Sequence, residues 1–189
     1  MRDLGRVIAV VGRKATGAKK TTAINIAAAL TAVNKKILLI DSDPQGNSTR
    51  SMGIDSDQLP VSAYDLYTGA SRLSEIIRST GIPQLDVVPA KLNLAGIEIE
   101  LISRRSREQV LKNAIRSLRR WYDCILIDCP PSLGLLTVNA LTAADGVIIH
   151  FLHEYNASEE LSALANLIRL VKQDLNPALI IDGMLLIRQ

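Results

Sequence analysis

The sequence predicts an α/β fold in three layers, with a mostly parallel sheet and helices on both of its faces. Short runs rich in Val, Ile and Leu alternate with longer stretches in which apolar residues recur at helical spacing. A strand followed by a helix, repeated along the chain, is typical of a parallel sheet with crossover connections. Aromatic residues make up only 3% of the chain. The core is therefore expected to be aliphatic, as in a buried parallel sheet.

The predicted elements follow one another in a regular order. Strands are predicted at Val7–Val11, Ile37–Ile40, Leu85–Pro89, Ile125–Ile127, Val147–Leu152 and Leu179–Leu186. Helices are predicted at Thr21–Val33, in the region Leu92–Arg120, and at Leu133–Leu141 and Ser158–Leu175. The polar stretch Arg50–Thr80 has weaker periodicity and predicts short helices only. The 189 residues contain no repeat, low-complexity tract or linker, so a single domain over residues 1–189 is expected.

Composition and net charge exclude few classes of function. The net charge of +3 is compatible with contact to nucleic acid or an anionic surface, and ordinary surface lysines and arginines explain it equally well. Cys124 and Cys129 fall in or beside apolar runs and are expected to be buried, reduced thiols. No run approaches the roughly 20 apolar residues of a membrane span. Val7–Val11 is too short for the core of a signal peptide, so we expect a cytoplasmic protein without a membrane partner.

A candidate phosphate-binding loop follows the first predicted strand. It reads Gly12-Arg13-Lys14-Ala15-Thr16-Gly17-Ala18-Lys19-Lys20-Thr21-Thr22 and leads directly into a helix. Backbone N–H groups at a helix N-terminus, with the helix dipole behind them, can hold an anion there. The usual spacing Gly-x-x-x-x-Gly-Lys-[Ser/Thr] is not met, so the loop alone does not identify the site.

Two further segments place carboxylates directly after strands. Asp41-Ser42-Asp43-Pro44-Gln45-Gly46-Asn47 follows the second strand, and Asp128-Cys129-Pro130-Pro131-Ser132-Leu133-Gly134 follows Ile125–Ile127. Ligands of open α/β sheets bind beyond the carboxyl ends of the strands. We therefore expect both segments to line one site together with the loop.

With these segments in this order, the chain resembles the ParA/Soj-type partition ATPases, within the wider group of deviant P-loop ATPases that includes MinD. The resemblance covers nearly all 189 residues. It rests on Ile-Asp-Ser-Asp-Pro-Gln-Gly-Asn, Leu-Asp-Val-Val-Pro-Ala, Leu-Ala-Gly-Ile-Glu-Ile-Glu-Leu, Ile-Asp-Cys-Pro-Pro-Ser-Leu-Gly-Leu-Leu-Thr and Asn-Ala-Leu-Thr-Ala-Ala-Asp-Gly-Val, in that order. It implies a P-loop NTPase-like fold.

The resemblance also implies a function and a set of site residues. Proteins of this family act in chromosome or plasmid segregation as ATP-dependent dimers on non-specific DNA, with a ParB-type partner, so association with the nucleoid is implied. By position, Lys14 would reach the phosphates bound to the partner subunit, Lys19 would hold its own nucleotide, and Asp43 would orient the attacking water. Asp43 and Asp128 would support Mg²⁺. The implied nucleotide-binding residues are Lys14, Thr16, Gly17, Ala18, Lys19, Lys20 and Thr21.

The loop departs from the family pattern Lys-Gly-Gly-x-Gly-Lys-Thr-Thr. Its three glycines are Ala15, Thr16 and Ala18 here, and the threonine after the second lysine is Lys20. A Cβ where φ must be positive costs roughly 1 kcal/mol or meets the ligand. A charged lysine has no lone pair for Mg²⁺, which the threonine hydroxyl would bind. These changes put ATP hydrolysis in question.

Two readings of the surrounding sequence stay open. A loop alignment shifted by one residue uses Lys20 and Thr21 as the Lys-Thr pair, at the cost of a bulge with Lys19 in place of the last glycine. His150 and His153 could be metal ligands, but without acidic or cysteine neighbours ordinary packing and surface roles are expected. Relatives continue beyond Gln189 with a further strand and helices, so we expect a C-terminally truncated chain, from either a truncated gene or a fragment.

A basic cluster in Leu92–Arg120 is the candidate DNA contact, through Arg104, Arg105, Arg116 and Arg119. A solvated helix face is the other interpretation.

The leading hypothesis is a ParA-like partition switch; the alternative is a catalytically impaired relative that only binds nucleotide, DNA or a paralogue, and a third is a product without activity. A MinD-like membrane role would need a C-terminal amphipathic helix, and an iron–sulfur role would need more cysteines.

Overall fold

The computed structural model describes residues 4–12, 17–152 and 157–187. In this part of the chain, seven strands form one sheet. They are β1 Arg6–Val11, β2 Ile37–Asp41, β3 Arg78–Ser79, β4 Leu85–Val88, β5 Cys124–Asp128, β6 Gly146–Leu152 and β7 Ile180–Ile187. Their spatial order is β3-β4-β2-β5-β1-β6-β7. Every neighbouring pair is parallel except β3 and β4, which confirms the predicted mostly parallel sheet.

The parallel pairing gives the sheet two distinct edges. β1 lies between β5 and β6, with Val10 opposite Asp128 and Ile8 opposite Gly146. β2 lies on the other side of β5, with Asp41 opposite Asp128. The carboxyl edge is therefore formed by the ends of β1, β2, β4 and β5, and the amino edge by the starts of the same strands and of β6. Both predicted carboxylate segments leave the sheet at the carboxyl edge.

Eight α-helices are present among the described residues. They are α1 Gly17–Ala32, α2 Asn47–Ser51, α3 Ala63–Thr68, α4 Leu73–Ile76, α5 Ile97–Glu100, α6 Val110–Ile115, α7 Leu135–Ala143 and α8 Ala157–Asp174. The short helices α2, α3 and α4 lie in the stretch Arg50–Thr80 or just before it, where weak periodicity predicts short helical segments.

The central strands bury side chains on both faces. On β1, Val7, Ala9 and Val11 pack into the larger core with α3 to α8, while Val10 packs into the smaller core. The smaller core is closed by Ala23 and Ala27 of α1. Alternation with period two places successive side chains on opposite faces. The sheet is thus covered by helices on both sides, as the aliphatic composition predicts.

The region Leu92–Arg120 is not one continuous helix. A short 3₁₀ turn at residues 92–96 leads into α5, and a second one at residues 107–109 leads into α6. Between them, Ser106 adopts a left-handed backbone with φ of 54°. A non-glycine residue in that conformation interrupts helical hydrogen bonding. The apolar spacing predicts the buried positions of this region correctly, because Leu94, Ile97, Leu111 and Ile115 are all buried, but it does not reveal the break.

The cysteine prediction is confirmed, and one of the two histidines lies in the described part of the chain. Cys124 and Cys129 are buried free thiols, and burial raises the pKa of Cys124 to about 11. His150 is buried on β6, while His153 lies outside the described residues. No group of three potential ligands is found in the described ranges. No described helix is long and apolar enough to cross a membrane.

Candidate functional site

The candidate phosphate loop starts at the carboxyl end of β1. Gly12 follows the strand directly, and α1 begins at Gly17. Five of the predicted nucleotide-binding residues lie in the first turns of α1: Gly17, Ala18, Lys19, Lys20 and Thr21. The other two, Lys14 and Thr16, lie outside the described residues. A helix that begins a few residues after a strand of the sheet is the arrangement expected for a phosphate site.

Gly12 is required by close packing between two strands. A Cβ at this position would lie 2.5 Å from the backbone oxygen of His150 on β6. Such a contact is with backbone, which cannot rotate away as a flexible side chain can. Glycine therefore lets β1 and β6 stay in register up to the point where the loop leaves the sheet.

The segment after β2 forms a tight turn at the carboxyl edge. Gly46 N donates to the Asp43 carbonyl at 2.8 Å, and Gln45 N donates to Asp43 Oδ1 at 2.9 Å. Pro44 stands at the second position of this turn, where its fixed φ is favourable. Gly46 has φ of +60°, a conformation that side-chain-bearing residues rarely adopt. The turn holds Asp43 mostly buried, with 6% of its surface exposed, beside the start of α2.

Two buried carboxylates face each other at the centre of this edge. Asp41 and Asp128 are adjacent across β2 and β5, and both are buried. Asp41 Oδ2 accepts bonds from the Thr49 hydroxyl at 2.7 Å and from Thr49 N at 2.8 Å. Ser48 Oγ donates to Asp128 Oδ2 at 2.6 Å. The first turn of α2 thus binds both acids through neighbouring hydroxyl side chains.

The environment of Asp41 favours its protonated form. Burial, followed by the negative charge of Asp128, raises its pKa to about 7, although bonds from Thr49 and from Asp43 N oppose the shift. Carboxyl groups whose pKa is raised this far above its ordinary value are found most often at functional sites. A cation bound between Asp41 and Asp128 would relieve their repulsion.

The residues at this edge fit a magnesium site that is completed by phosphate and water. Mg²⁺ is bound in proteins by one or two carboxylates together with hydroxyl, phosphate and water oxygens. Two hydrogen-bonded pairs supply oxygen donors of that kind, Asp128 with the Ser48 hydroxyl and Asp41 with the Thr49 hydroxyl. Because no described group of three acids or histidines gathers here, the protein side chains alone would not complete the coordination.

The loop that leaves β5 is fixed by a carboxylate from α5. Glu98 Oε1 accepts a bond from Leu135 N, the first residue of α7, at 2.7 Å. A carboxylate at a helix N-terminus satisfies an otherwise unbonded N–H group and interacts favourably with the helix dipole. Glu98 therefore links α5 to the segment that follows Asp128.

Sequence reasoning alone leaves out several residues of this site. The predicted magnesium residues Asp43 and Asp128 are both at the carboxyl edge, but Asp41 is the acid that lies directly opposite Asp128. Ser48, Thr49 and Glu98 complete the hydrogen bonding. The sequence could have indicated Asp41, because it ends an apolar strand two residues before Asp43. The roles of the hydroxyls depend on how α2 folds back over the strands.

The four arginines predicted to contact DNA differ in their surroundings. Arg104 donates to the Tyr67 carbonyl at 2.9 Å, and Arg119 forms an ion pair with Asp145 at 2.6 Å and bonds to the Gly5 carbonyl. Both guanidinium groups therefore have structural partners. Arg105 and Arg116 are exposed, as Arg104 also is, but they make no hydrogen bond or ion pair in the described part of the chain. The structure does not gather the four arginines into one cluster of equivalent groups.

Comparison with known proteins identifies close relatives. A family model described as an AAA domain matches residues 5–181. The sporulation initiation inhibitor protein Soj of Bacillus subtilis is 46% identical over 183 residues, which are 97% of this chain and 72% of that protein. The chromosome partitioning protein ParA of Myxococcus xanthus is 46% identical over 183 residues, with coverages of 97% and 65%.

Solved structures confirm the predicted P-loop NTPase-like fold. The cobyrinic acid a,c-diamide synthase from Mycobacterium smegmatis, solved with a bound ATP analogue and magnesium, matches with a TM-score of 0.93 and 41% identity. That match covers 97% of this chain and 75% of the other. Because the family model and both curated relatives match over nearly the whole chain, this protein belongs to the ParA/Soj family of partition proteins.

Proposed function

We propose that the protein works as an adenine-nucleotide-dependent switch in chromosome or plasmid partition, as a single domain that forms an ATP-dependent homodimer. Its partners would be non-specific DNA and a ParB-like protein, and it would act in the cytoplasm at the nucleoid. The observation that carries the proposal is the buried pair Asp41 and Asp128 beside the strand–loop–helix of β1 and α1. Such a site offers N–H groups for phosphate and carboxylates for a cation.

Each predicted residue has a physical role in this proposal. Lys19 would neutralise the phosphates of the bound nucleotide, and Lys14 those held by the partner subunit. Asp43 would orient the attacking water, and Asp128 would support Mg²⁺. Ser48 and the neighbouring Asp41 would fix the position of the Asp128 side chain. Magnesium, when bound, offsets the negative charge of the phosphate groups. These side chains position groups and balance charge rather than form bonds to phosphorus.

The altered loop would slow the hydrolytic half of the cycle. Lys20 replaces the hydroxyl that would coordinate Mg²⁺, and an ammonium group has no lone pair with which to do so. Its positive charge would still attract phosphate, so binding would depend little on magnesium. Ala15, Thr16 and Ala18 add Cβ atoms where the family has glycine, which would weaken the approach of backbone to phosphate.

The names of the relatives support a role in partition more strongly than the amidation chemistry implied by the name of the structural relative. Both curated relatives at 46% identity carry names that refer to Soj or to chromosome partitioning. The structural relative named as a cobyrinic acid a,c-diamide synthase is less similar, at 41% identity. The shared partition names favour the switch over a chain that acts only as a binding module.

The experiment is nucleotide binding and hydrolysis with and without Mg²⁺, for the unmodified chain and for Lys20→Thr. We expect weak ATP and ADP binding with little magnesium dependence and hydrolysis near background. Lys20→Thr should gain magnesium dependence and raise hydrolysis by at least about tenfold, on the order of 1.4 kcal/mol in barrier. Lys35→Thr, at an exposed lysine before β2, is the matched control and should change neither.

Two results would contradict the proposal. Tight, magnesium-dependent binding by the unmodified chain would show that the loop is not impaired. Absence of nucleotide binding by both the unmodified chain and Lys20→Thr would remove the switch itself.

A further inference from the structure

A pocket opens between two helical segments that cover the larger core. Its volume is about 430 Å³, within the range of small-molecule sites, which is roughly 300–1,000 Å³. One wall is formed by the end of α3 and by α4, and the other by α6 and the residues that follow it. No residue of the segments 41–49 and 128–136 lines the pocket, so it is separate from the paired acids.

The apolar part of the pocket is aliphatic. Leu66, Leu73 and Val110 line it and are buried, and Ala114 and Leu118 line it at half-buried positions. No aromatic side chain is among the described residues of the lining. A nucleobase would therefore find no ring to stack on, whereas an aliphatic chain would bury apolar surface against the leucines and the valine.

The charge of the pocket has one sign. Arg72 and Arg104 both line it, and no aspartate or glutamate does so in the part of the chain that the structure describes. Neither guanidinium forms an ion pair within the described ranges. The acid nearest to Arg72 along the chain, Glu75, accepts a bond from Arg72 N and lies outside the lining. The lining thus carries two positive charges and no negative charge.

Arg104 is already held in position for a ligand. Its Nη1 donates to the Tyr67 carbonyl at 2.9 Å, at the end of α3. Its Nε and Nη2 have no hydrogen-bond partner among the described residues, and this edge of a guanidinium matches the two oxygens of a carboxylate or phosphate. A cation that is fixed before binding loses less conformational freedom when the anion arrives. Hydroxyl donors also line the pocket, at Ser71, Ser74 and Ser117.

We propose that this pocket binds a small organic anion with a short aliphatic body. The anionic group, a carboxylate or a phosphate monoester, would bind Arg72 and Arg104, and the aliphatic body would lie against Leu66, Leu73 and Val110. An extended polyanion would meet the two cations but would leave the aliphatic part of the pocket unfilled. The inference adds a ligand to the nucleotide of the proposed function and does not depend on that function.

The test is titration calorimetry of the full chain with octanoate, with octyl phosphate and with octanol, a neutral probe of the same length. We expect at least one anion to bind at least about tenfold more tightly than octanol, because hydrogen bonds to charged groups are the stronger ones. Acetate and inorganic phosphate should bind at least about tenfold more weakly than their eight-carbon counterparts, since they bury no aliphatic chain. Tighter binding of octanoate assigns the site to carboxylates, and tighter binding of octyl phosphate assigns it to phosphate monoesters; both support the inference.

Two substitutions separate the charge of the pocket from its shape. Arg72→Gln should weaken binding of the preferred anion by at least about fivefold. Its matched control is Arg105→Gln, at an exposed arginine outside the lining, which should stay within about twofold of the unmodified chain. Ala114→Leu fills the pocket without changing its charge and should weaken binding at least about tenfold, while leucine remains a good helix former in α6. Asn113→Leu, at the neighbouring exposed position of α6, is its control and should leave the affinity unchanged.

Three results would overturn the inference. Octanol that binds as tightly as both anions would show an apolar crevice without an anion site. Equal losses in Arg72→Gln and Arg105→Gln, or in Ala114→Leu and Asn113→Leu, would place the anion elsewhere. Absence of binding by both eight-carbon anions at millimolar concentration would remove the site. Octanoate binding by a chain that binds no ATP supports this inference while contradicting the proposed function.

Discussion

The two edges of the sheet hold their charges in opposite ways. At the carboxyl edge, Asp41 and Asp128 are buried and accept hydrogen bonds from the start of α2. At the amino edge, Arg116 and Arg120 are exposed and make no recorded ion pair in the described part of the chain. Buried charge requires fixed partners, whereas exposed charge is shared with solvent. One edge therefore holds buried charge in fixed positions, and the other presents its charge to solvent.

The largest effect should come from the packing of the carboxyl edge. Gly12→Ala places a Cβ 2.5 Å from the His150 carbonyl oxygen, so β1 and β6 must separate. We expect the free energy of unfolding in urea to fall by about 3 kcal/mol, in the range for overpacking against backbone. Gly81→Ala is the matched control, because a Cβ there meets nothing within 4 Å, and it should cost less than about 0.5 kcal/mol. Equal losses would remove the packing argument.

The next effect is the pH dependence of stability that comes from Asp41. Its pKa rises from 3.8 in an unfolded chain to about 7 in the fold, so the native state binds the proton more tightly between these values. The resulting stability is present below pH 3.8 and is lost as pH rises through about 7. Removing the charge of Asp128 should lower the pKa of Asp41 and reduce this loss.

Urea unfolding at pH 5 and pH 8, with a chelator present, measures that difference. We expect the unmodified chain to lose on the order of 2 kcal/mol between the two values, and Asp128→Asn to lose less, because burial of Asp41, the larger cause of its raised pKa, remains in the variant. A variant that loses as much stability as the unmodified chain would show that the two acids do not interact.

A smaller effect should distinguish two arginines of the amino edge. Arg119→Gln breaks the ion pair with Asp145 and the bond to the Gly5 carbonyl, both partly buried. We expect a loss of about 1–2 kcal/mol in the free energy of unfolding. Arg116→Gln, the matched substitution at an exposed residue, should stay within about 0.5 kcal/mol of the unmodified chain. Similar losses at both positions would mean that the amino edge does not divide into structural and open cations.

The smallest effect concerns the link between α5 and α7. Glu98→Ala removes the carboxylate that accepts the Leu135 N–H bond. We expect thermal unfolding to report a loss of about 1 kcal/mol, as for other helix caps. Glu159→Ala, in the first turn of α8, offers a comparison at another helix start, where the carboxylate accepts no hydrogen bond from the part of the chain that the structure describes. If Glu98→Ala costs no more than Glu159→Ala, the carboxylate does not hold the loop after Asp128.

Sequence patterns predict the fold better than they predict the use of each charged residue. Short, nearly continuous apolar runs predict the central strands, whose side chains are buried on both faces, and the position of acids after strands predicts the carboxyl edge. They do not reveal that Asp41 opposes Asp128 or that Thr49 bonds to it, because these contacts join segments separated in sequence. The two-residue β3 is too short to produce a periodic signal.

The basic region shows the same limit more clearly. By composition, Arg104, Arg116 and Arg119 are equivalent. Their difference depends on which backbone carbonyls and carboxylates the fold brings near each guanidinium. Helical periodicity also conceals the break at Ser106, since its left-handed backbone depends on tertiary packing rather than on a residue type that favours it.

The most direct test of the central claim is where ATP protects the chain from hydrogen–deuterium exchange. A nucleotide at the carboxyl edge should slow exchange in peptides that cover residues 41–49 and 128–136, whose amides surround the paired acids. Peptides covering residues 112–121, at the amino edge, should be unchanged. Slower exchange confined to residues 112–121 would contradict the account, because it would place the nucleotide at the edge of the sheet away from the paired acids.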